Sequence, residues 1–122
     1  MSDTVLPIAL TLGDAAGIGP EIIAQSFLRE PAMLRGCFVA GDVQAMRRAL
    51  AVVQGAVPLP VVPIATPGEA LQLPPRCLLV LQVGEALAPV PSRPVSAAAG
   101  EFAGRCVLWA ADAALRGEVA AL

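Results

Sequence analysis

Three glycines and an aspartate near the N-terminal end have the spacing of a ligand-binding turn. They are Gly13, Asp14, Gly17 and Gly19. Glycine permits positive φ and close approach of a ligand to the backbone, and Pro20 with Glu21 marks the first turn of a helix. N–H groups at a helix start favour an anion. The stretch predicts either an anion-binding turn, in which Asp14 positions a hydroxyl, a water or a neighbouring loop, or a tight β–α turn that needs glycine for geometry alone.

The residue types that are missing exclude several mechanisms. The sequence contains no histidine, no lysine and no tyrosine. A histidine base, a histidine metal ligand, a lysine Schiff base and a P-loop lysine are therefore excluded within these residues. The turn also lacks the G-x-G-x-x-G spacing of dinucleotide-binding folds. Catalysis by this chain alone would need carboxylates, cysteine or serine.

Composition predicts one core-rich domain. The chain has 122 residues, of which 57% are hydrophobic and 15% charged. The net charge is −2 and the basic residues form no stripe, so no nucleic-acid binding is expected. No signal peptide and no membrane span is predicted, and we expect a cytoplasmic protein. Cys37, Cys77 and Cys106 are interpreted as reduced, buried thiols, with metal ligation or a disulfide as the alternatives.

Alternating apolar and helical segments predict the elements that hold the turn. Asp42 is the expected N-cap of the second helix, and the prolines in residues 57–64 confine that run to a sheet edge or an irregular strand. Strands are predicted at residues 5–12, 36–40, 57–64, 77–83 and 118–122, helices at 20–29, 42–53 and 96–116, a turn at 66–70 and a loop at 84–94. This order indicates an α/β fold with a mostly parallel sheet and helices on both faces. Because the sequence stops inside the last predicted strand, we expect an incomplete fold.

The last helix carries apolar residues on two faces. Phe102, Cys106 and Trp109 share one face, whereas Leu108 and Leu115 lie on another. We therefore expect this helix to be buried by more than its own sheet. Two further residues, Gly100 and Gly104, form a small-residue stripe, which is interpreted as tight packing against a neighbouring helix.

The glycine-rich stretch resembles the signature of a known enzyme family. Residues 11–21 read TLGDAAGIGPE and are similar to T-x-G-[DE]-P-A-G-I-G-P-[DE], the N-terminal signature of the 4-hydroxythreonine-4-phosphate dehydrogenases of pyridoxal phosphate biosynthesis. Ala15 departs from the usual proline. The related isocitrate and isopropylmalate dehydrogenases have the shorter turn G-D-G-I-G-P-E, so the inserted Ala15 and Ala16 favour the first family. The resemblance also includes the last helix and the residues that follow it.

This resemblance implies a fold, a reaction and partners. It implies that residues 1–122 are the N-terminal fragment of a two-domain, isocitrate/isopropylmalate dehydrogenase-like enzyme. The implied reaction is NAD(P)-dependent oxidation, with decarboxylation, of 4-phosphohydroxy-L-threonine. Family members need NAD or NADP and a divalent metal, and they are homodimers. The fragment alone is expected to be inactive.

Few functional residues can be carried over from the family. Its metal and substrate ligands lie beyond the present sequence, so no catalytic residue and no metal ligand is assigned here. Only the turn is assigned, as cleft-lining and candidate cofactor-binding residues: Gly13, Asp14, Gly17 and Gly19. Two alternatives stay open, an isopropylmalate-type oxidative decarboxylase and a non-catalytic anion-binding or assembly domain.

Four further residues receive weaker interpretations. Glu85 follows a strong predicted strand, where loops of α/β folds often carry function. Glu101 and Asp112 are interpreted as solvated or paired with Arg105 and Arg116. Trp109 is interpreted as a core or interface residue.

Overall fold

The computed structural model describes residues 5–13, 18–53, 59–74, 76–85 and 97–122. The elements in these ranges are β1 (Ile8–Thr11), α1 (Gly19–Arg29), β2 (Cys37–Gly41), α2 (Val43–Val53), β3 (Val61–Ile64), a 3₁₀ helix (Pro67–Leu71), β4 (Leu78–Gln82) and α3 (Ala97–Leu115). Each lies inside its predicted segment or within one residue of it. Residue 96, where the third helix is predicted to begin, and most of the predicted loop at 84–94 lie outside the described residues.

The strands form one parallel sheet in the order β1-β2-β4-β3. β1 pairs with β2 from Ile8 opposite Cys37 to Thr11 opposite Ala40, and β2, β4 and β3 continue the parallel pairing. Because all of these strands run parallel, every described strand has its carboxyl end at the same edge of the sheet. The prediction of a parallel α/β fold is confirmed.

Both faces of the sheet are covered. All five residues of β2 are buried, although successive side chains of a strand point to opposite faces. On one face α3 lies against β1 and β2, and the ring of Trp109 meets Phe38 edge to face with the ring centroids 6.0 Å apart. The helices α1 and α2 pack against each other, and α2 also contacts β3 and β4. Trp109 is therefore partly buried and packs against the core, which fits its prediction as a core or interface residue.

Local signals fix the ends of the first two helices. Asp42 Oδ2 accepts a hydrogen bond of 2.8 Å from the N–H of Ala45, which confirms Asp42 as the N-cap of α2. At the carboxyl end of α1, the N–H of Glu30 donates to the carbonyl of Ser26 at 2.9 Å. Pro31 prevents a further helical turn. Gly36, at φ +80°, then leads the chain into β2.

The proline-rich run forms the edge of the sheet, as predicted. β3 is the last strand in the sheet order, and its Pro63 is exposed. A proline is tolerated there because it has no N–H to donate to a further strand. The 3₁₀ helix that follows begins with a capping box, in which Glu69 Oε2 accepts hydrogen bonds from the N–H groups of Ala65 at 2.6 Å and Thr66 at 2.7 Å.

The last residues contact β1 but form less than the predicted strand. Gly117, at φ +76°, ends α3 as expected. Ala121 then makes an isolated parallel bridge to Ile8, with the N–H of Ala9 donating to its carbonyl at 3.0 Å. The prediction of a strand over residues 118–122 is therefore wrong, because these residues form a single bridge.

The helix α3 is buried on one face only. Phe102 and Cys106 are 3% and 0% exposed, but Leu108 and Leu115 are 67% and 86% exposed. No described element covers the second apolar face, so its burial by more than the sheet stays a prediction. The same holds for the expected tight packing at Gly100 and Gly104, since a Cβ built on either would have no described neighbour within 4 Å. None of the described helices meets the length and hydropathy needed to cross a membrane.

Candidate functional site at the carboxyl edge of the sheet

The carboxyl ends of β1, β2 and β4 are tied together by backbone hydrogen bonds. The N–H of Leu12 donates to the carbonyl of Ala40 at 3.1 Å, and the N–H of Val83 donates to the carbonyl of Gly41 at 2.8 Å. These bonds extend the strand pairing beyond the strands themselves. They hold the start of the glycine-rich turn beside the residues that follow β2 and β4, which is the edge where parallel α/β folds bind ligands.

The two described glycines of the turn do not need to be glycine for backbone geometry. The positive-φ glycines among the described residues are Gly36, Gly84 and Gly117, so the expectation of positive φ is wrong for Gly13 and Gly19. A Cβ on Gly13 would meet nothing within 4 Å, and a Cβ on Gly19 would lie an ordinary 3.8 Å from Gly13. Asp14 and Gly17 lie outside the described residues. The space that a side chain would occupy at Gly13 and Gly19 is therefore available for a ligand to approach the backbone closely.

The N-terminus of α1 lies at the far side of this turn. The N-cap residue is Ile18, which makes no side-chain hydrogen bond to the helix, and Pro20 is in the first turn. An N-terminus without a side-chain cap leaves N–H groups to be satisfied by water or by a ligand. Ile18 is 71% exposed, so the turn presents an apolar side chain next to backbone donors that favour an anion.

A buried carboxylate and an amide link β2, β4 and α2 beside the turn. Asp42 is 0% exposed, and its Oδ1 accepts a hydrogen bond of 2.8 Å from Gln82 Nε2. Gln82 Oε1 accepts a hydrogen bond of 2.9 Å from the N–H of Val43, and Nε2 reaches the carbonyl of Glu85 at 3.4 Å. Gln82 therefore connects the end of β4 to the N-terminus of α2. Sequence reasoning missed this role, although one polar residue in the apolar run of residues 77–83 was a usable signal.

Two of the three cysteines are not activated nucleophiles. All three are unpaired; Cys37 and Cys106 are buried, as predicted, whereas Cys77 is only partly buried. Burial raises the pKa of Cys106 to about 11, with a smaller contribution from the charge of Asp42. Burial also raises the pKa of the Cys37 thiol. Since the thiolate is the nucleophile, raised pKa values leave these groups protonated and unreactive near neutral pH.

The described residues do not fit a divalent metal. No group of three or more aspartate, glutamate or cysteine residues in these ranges could hold an ion, and the sequence has no histidine. Asp42, the buried carboxylate at this edge, uses one oxygen on the N–H of Ala45 and the other on Gln82. No step of a mechanism is therefore assigned to a metal held by these residues.

The charged residues of α3 are surface ion pairs. Arg105 Nη2 lies 2.9 Å from Glu101 Oε1, as predicted. Arg116 pairs with Glu118 and not with Asp112, which is exposed to solvent, one of the two roles predicted for it. That hydrogen bond to Glu118 raises the pKa of Arg116. Glu85 is exposed just after β4, and its functional interpretation stays a prediction.

An apolar cavity at the opposite edge lacks the features of a polar binding site. It has a volume of about 310 Å³ and is lined by Val5, Leu6, Ile8, Arg35, Gly36 and Leu71. These residues lie at the amino ends of β1 and β2, away from the glycine-rich turn. Ligand pockets usually combine an apolar lining with several convergent polar groups, and Arg35 is the one charged residue in this lining. The carboxyl edge is therefore the better candidate.

The fold and this edge define a parallel α/β domain whose candidate site is a glycine-rich turn at the carboxyl ends of the strands. No family model matches the sequence. A 4-hydroxythreonine-4-phosphate dehydrogenase of Trichlorobacter lovleyi is 37% identical over 118 residues, which are 94% of this chain and 34% of that protein. A D-threonate 4-phosphate dehydrogenase of Bordetella bronchiseptica is 43% identical over 108 residues, 84% of this chain and 29% of that protein.

Solved structures give the same result. The crystal structure of 4-hydroxythreonine-4-phosphate dehydrogenase from Klebsiella pneumoniae superposes with a TM-score of 0.74 at 33% sequence identity, over 93% of this chain and 35% of that chain. Over nearly all of its length, the chain is thus a homologue of the 4-hydroxythreonine-4-phosphate dehydrogenases, as the sequence resemblance predicts. The chain spans about a third of the length of these relatives.

Proposed function

We propose that this chain provides the glycine-turn wall of the active-site cleft in an NAD(P)-dependent dehydrogenase that acts on 4-phosphohydroxy-L-threonine. The observation that carries the proposal is the homology to dehydrogenases of this name over 94% of the chain. The position of the turn at the carboxyl edge of a parallel sheet supports it, because that edge is where such folds bind their ligands. The cleft-lining role of Gly13, Asp14, Gly17 and Gly19 is part of the proposal.

The described residues suit the binding of a phosphate group that belongs to the cofactor or the substrate. A bound nicotinamide cofactor would supply the hydride acceptor for oxidation of the substrate alcohol. Gly13 and Gly19 leave room for the cofactor or substrate to approach the backbone. The uncapped N-terminus of α1 provides N–H groups and a helix dipole that favour a phosphate. These residues bind and orient, and the groups that move protons must come from elsewhere in the enzyme.

The substrate has a second candidate. The relative from Bordetella bronchiseptica is named a D-threonate 4-phosphate dehydrogenase and is 43% identical to this chain, compared with 37% for the relative from Trichlorobacter lovleyi. Both names describe a phosphorylated hydroxy acid. The two substrates differ at one carbon, which bears an amine in one of them and a hydroxyl in the other. None of the described residues discriminates between these two groups, so an assay must include both substrates.

We further propose that the enzyme is a cytoplasmic homodimer that needs a divalent metal. Three unpaired thiols in the chain favour a reducing compartment. The metal requirement follows from the family resemblance, and its ligands would have to come from outside the described residues. For that reason, we expect no turnover from the 122-residue chain alone.

The test is an assay of the protein expressed from its complete coding sequence. Formation of NADH or NADPH should be followed with 4-phosphohydroxy-L-threonine and with D-threonate 4-phosphate, each with either cofactor. We expect reduction of at least one cofactor with at least one of these substrates. A protein that is folded but inactive in all four combinations would rule out the proposal, and activity on 3-isopropylmalate would favour the isopropylmalate-type alternative.

Substitution of Gly13 tests whether the turn contacts a ligand. A Cβ at Gly13 meets no atom of the described residues within 4 Å, so Gly13→Ala should leave the melting temperature unchanged. If the cofactor or substrate approaches this backbone, the methyl group should lower kcat/KM by about 100-fold, since misplacement by about 1 Å costs that much. Gly68→Ala is the matched control because its Cβ also meets nothing. Equal kcat/KM values for the two variants would remove the turn from the site.

A further inference from the structure

The side-chain amide of Gln82 has one orientation that its neighbours allow. Its Oε1 accepts a hydrogen bond of 2.9 Å from the N–H of Val43, and its Nε2 donates one of 2.8 Å to Oδ1 of Asp42. A backbone N–H only donates and a carboxylate only accepts, so exchanging the oxygen and nitrogen of the amide would break both bonds. One N–H of the amide is thus used on Asp42, and the second is left to donate elsewhere.

The second N–H points to the turn that follows β4, which consists of Gly84 and Glu85. Gln82 Nε2 lies 3.4 Å from the carbonyl oxygen of Glu85. Gly84, at φ +68°, turns the chain between the two residues. A donor–acceptor distance of 3.4 Å is long for such a bond. We therefore expect it to restrain the turn after β4 and to add little to the stability of the fold.

The turn after β4 is also linked to the glycine-rich turn. Val83 is 6% exposed, and its N–H donates to the carbonyl of Gly41 at 2.8 Å. A Cβ on Gly41 would lie 2.6 Å from Leu12 Cβ, and Leu12 immediately precedes Gly13. In the order β1-β2-β4, the two turns therefore flank the carboxyl end of β2. A shift of the turn after β4 would change the distance across this edge.

We propose that Gln82 is a positioning residue of the ligand-binding cleft. Its second N–H holds the turn after β4 at a fixed place opposite the glycine-rich turn, so that one ligand contacts both. Parallel α/β folds bind ligands outside the carboxyl ends of adjacent strands. The inference rests on the proposed function, because the ligand is the cofactor or the substrate of that reaction. Gln82 acts through the backbone of Glu85 and does not touch the ligand.

A pair of substitutions separates this role from the stabilising link to Asp42. The double variant Asp42→Asn with Gln82→Glu reverses the hydrogen bond, because the asparagine amide donates to the glutamate. The asparagine oxygen still caps α2 at Ala45, and the glutamate still accepts from the N–H of Val43. A glutamate has no N–H to donate to the carbonyl of Glu85. The double variant therefore loses that one contact of Gln82 and keeps the other two.

The test uses the enzyme expressed from its complete coding sequence. Each single variant should lower the urea midpoint, because two acceptors or two donors then face each other, and the double variant should restore it. In the double variant we expect the KM for the cofactor or the substrate to stay raised about tenfold with kcat little changed, since a binding contact is misplaced. A wild-type KM in the double variant would overturn the proposal. A urea midpoint that the double variant does not restore would also overturn it, because the assigned orientation of the amide would be wrong.

Hydrogen exchange gives a second readout that needs no activity. Exchange at Val83 should be roughly fivefold faster in the double variant, the factor expected for the loss of one hydrogen bond, whereas exchange at Val39 should not change. The matched control is Gln72→Glu, which makes the same change at an exposed residue at the end of the 3₁₀ helix and should leave both KM and exchange unchanged. Wild-type enzyme that is inactive with both substrates would count against the proposed function. Unchanged exchange at Val83 in the double variant would count against the role of Gln82.

Discussion

Gly41, at the carboxyl end of β2, has no room for a side chain beside Leu12. A Cβ built on Gly41 would be 2.6 Å from Leu12 Cβ and 3.1 Å from Leu12 Cδ2. The Cβ of Leu12 is fixed by the backbone of the segment that begins the glycine-rich turn, so it cannot move aside as the end of a flexible side chain would. The requirement for glycine at position 41 is therefore steric and does not come from its φ angle.

We predict that Gly41→Ala destabilises the fold by about 1–3 kcal/mol, the usual cost of overpacking. The measurement is the urea midpoint, with Gly68→Ala as the control because its added methyl group meets nothing within 4 Å. The same variant should also displace the turn and lower activity in the full enzyme. A midpoint equal to that of the control would mean that β1 moves away from β2 at no cost.

Glu69 makes a pH-dependent contribution at the start of the 3₁₀ helix. Hydrogen bonds from the backbone N–H groups of Thr66 and then of Ala65 lower the pKa of this carboxyl group. Since the folded pKa lies below the unfolded value, the stabilisation is present above the ordinary pKa of about 4.3 and is lost as the pH falls through the folded pKa.

We predict that Glu69→Gln lowers the urea midpoint at pH 7, and that this loss shrinks as the pH falls through the folded pKa, where the wild-type carboxylate itself becomes protonated. Urea titrations of both proteins at pH 7 and at a series of lower pH values check this. Glu85→Gln is the control, because Glu85 is a carboxylate at an exposed position outside this 3₁₀ helix. If Glu69→Gln lowers the urea midpoint by the same amount at every pH, the negative charge of the Glu69 carboxylate does not contribute to stability.

At the scale of elements, local signals predicted most of the fold. The N-cap Asp42, Pro31 after α1 and Gly117 after α3 are each short-range features, and the corresponding helix ends are where the sequence places them. The edge position of β3 was also readable, because proline excludes a central strand. Long-range relations were not readable: the hydrogen bond between Gln82 and Asp42 joins residues 40 apart.

The turn and α3 show the same limit. Spacing identified the glycine-rich turn, but the reason for Gly13 and Gly19 differs from the expected one, since neither has positive φ. The two apolar faces of α3 were visible in the sequence, yet nothing in it told whether the second face packs within the chain. The described residues leave that face exposed at Leu108 and Leu115. Whether an apolar face is covered depends on tertiary and quaternary contacts, which periodicity does not encode.

The link between β4 and α2 should be an important stabilising contact of the carboxyl edge. Gln82→Leu removes a donor to Asp42 and an acceptor for the N–H of Val43. We predict a loss of about 1–3 kcal/mol, because buried polar groups lose a partner. The control is Gln44→Leu at an exposed position of α2, and urea unfolding is the measurement. Equal stabilities would show that other partners replace Gln82.

At the scale of the whole molecule, the end of the chain closes one side of the sheet. The N–H of Ala120 donates to the carbonyl of Pro7 at 2.8 Å, and Val119 is 2% exposed. Without these contacts β1, which leads directly into the glycine-rich turn, would be an open edge strand. Residues more than a hundred positions apart along the chain therefore fix the same strand.

We predict that Ala120→Pro destabilises the fold by about 1–2 kcal/mol, because proline has no N–H to donate to Pro7 and a lost hydrogen bond costs about that much. Hydrogen exchange should then speed up at Ala9, whose N–H bonds the carbonyl of Ala121 at 3.0 Å, but not at Val39 in the middle of the sheet. Leu122→Pro is the control, since the N–H of Leu122 makes no such bond within the described residues. Unchanged exchange at Ala9 in Ala120→Pro would mean that the last residues do not hold β1, and that the turn depends on β2 alone for its position.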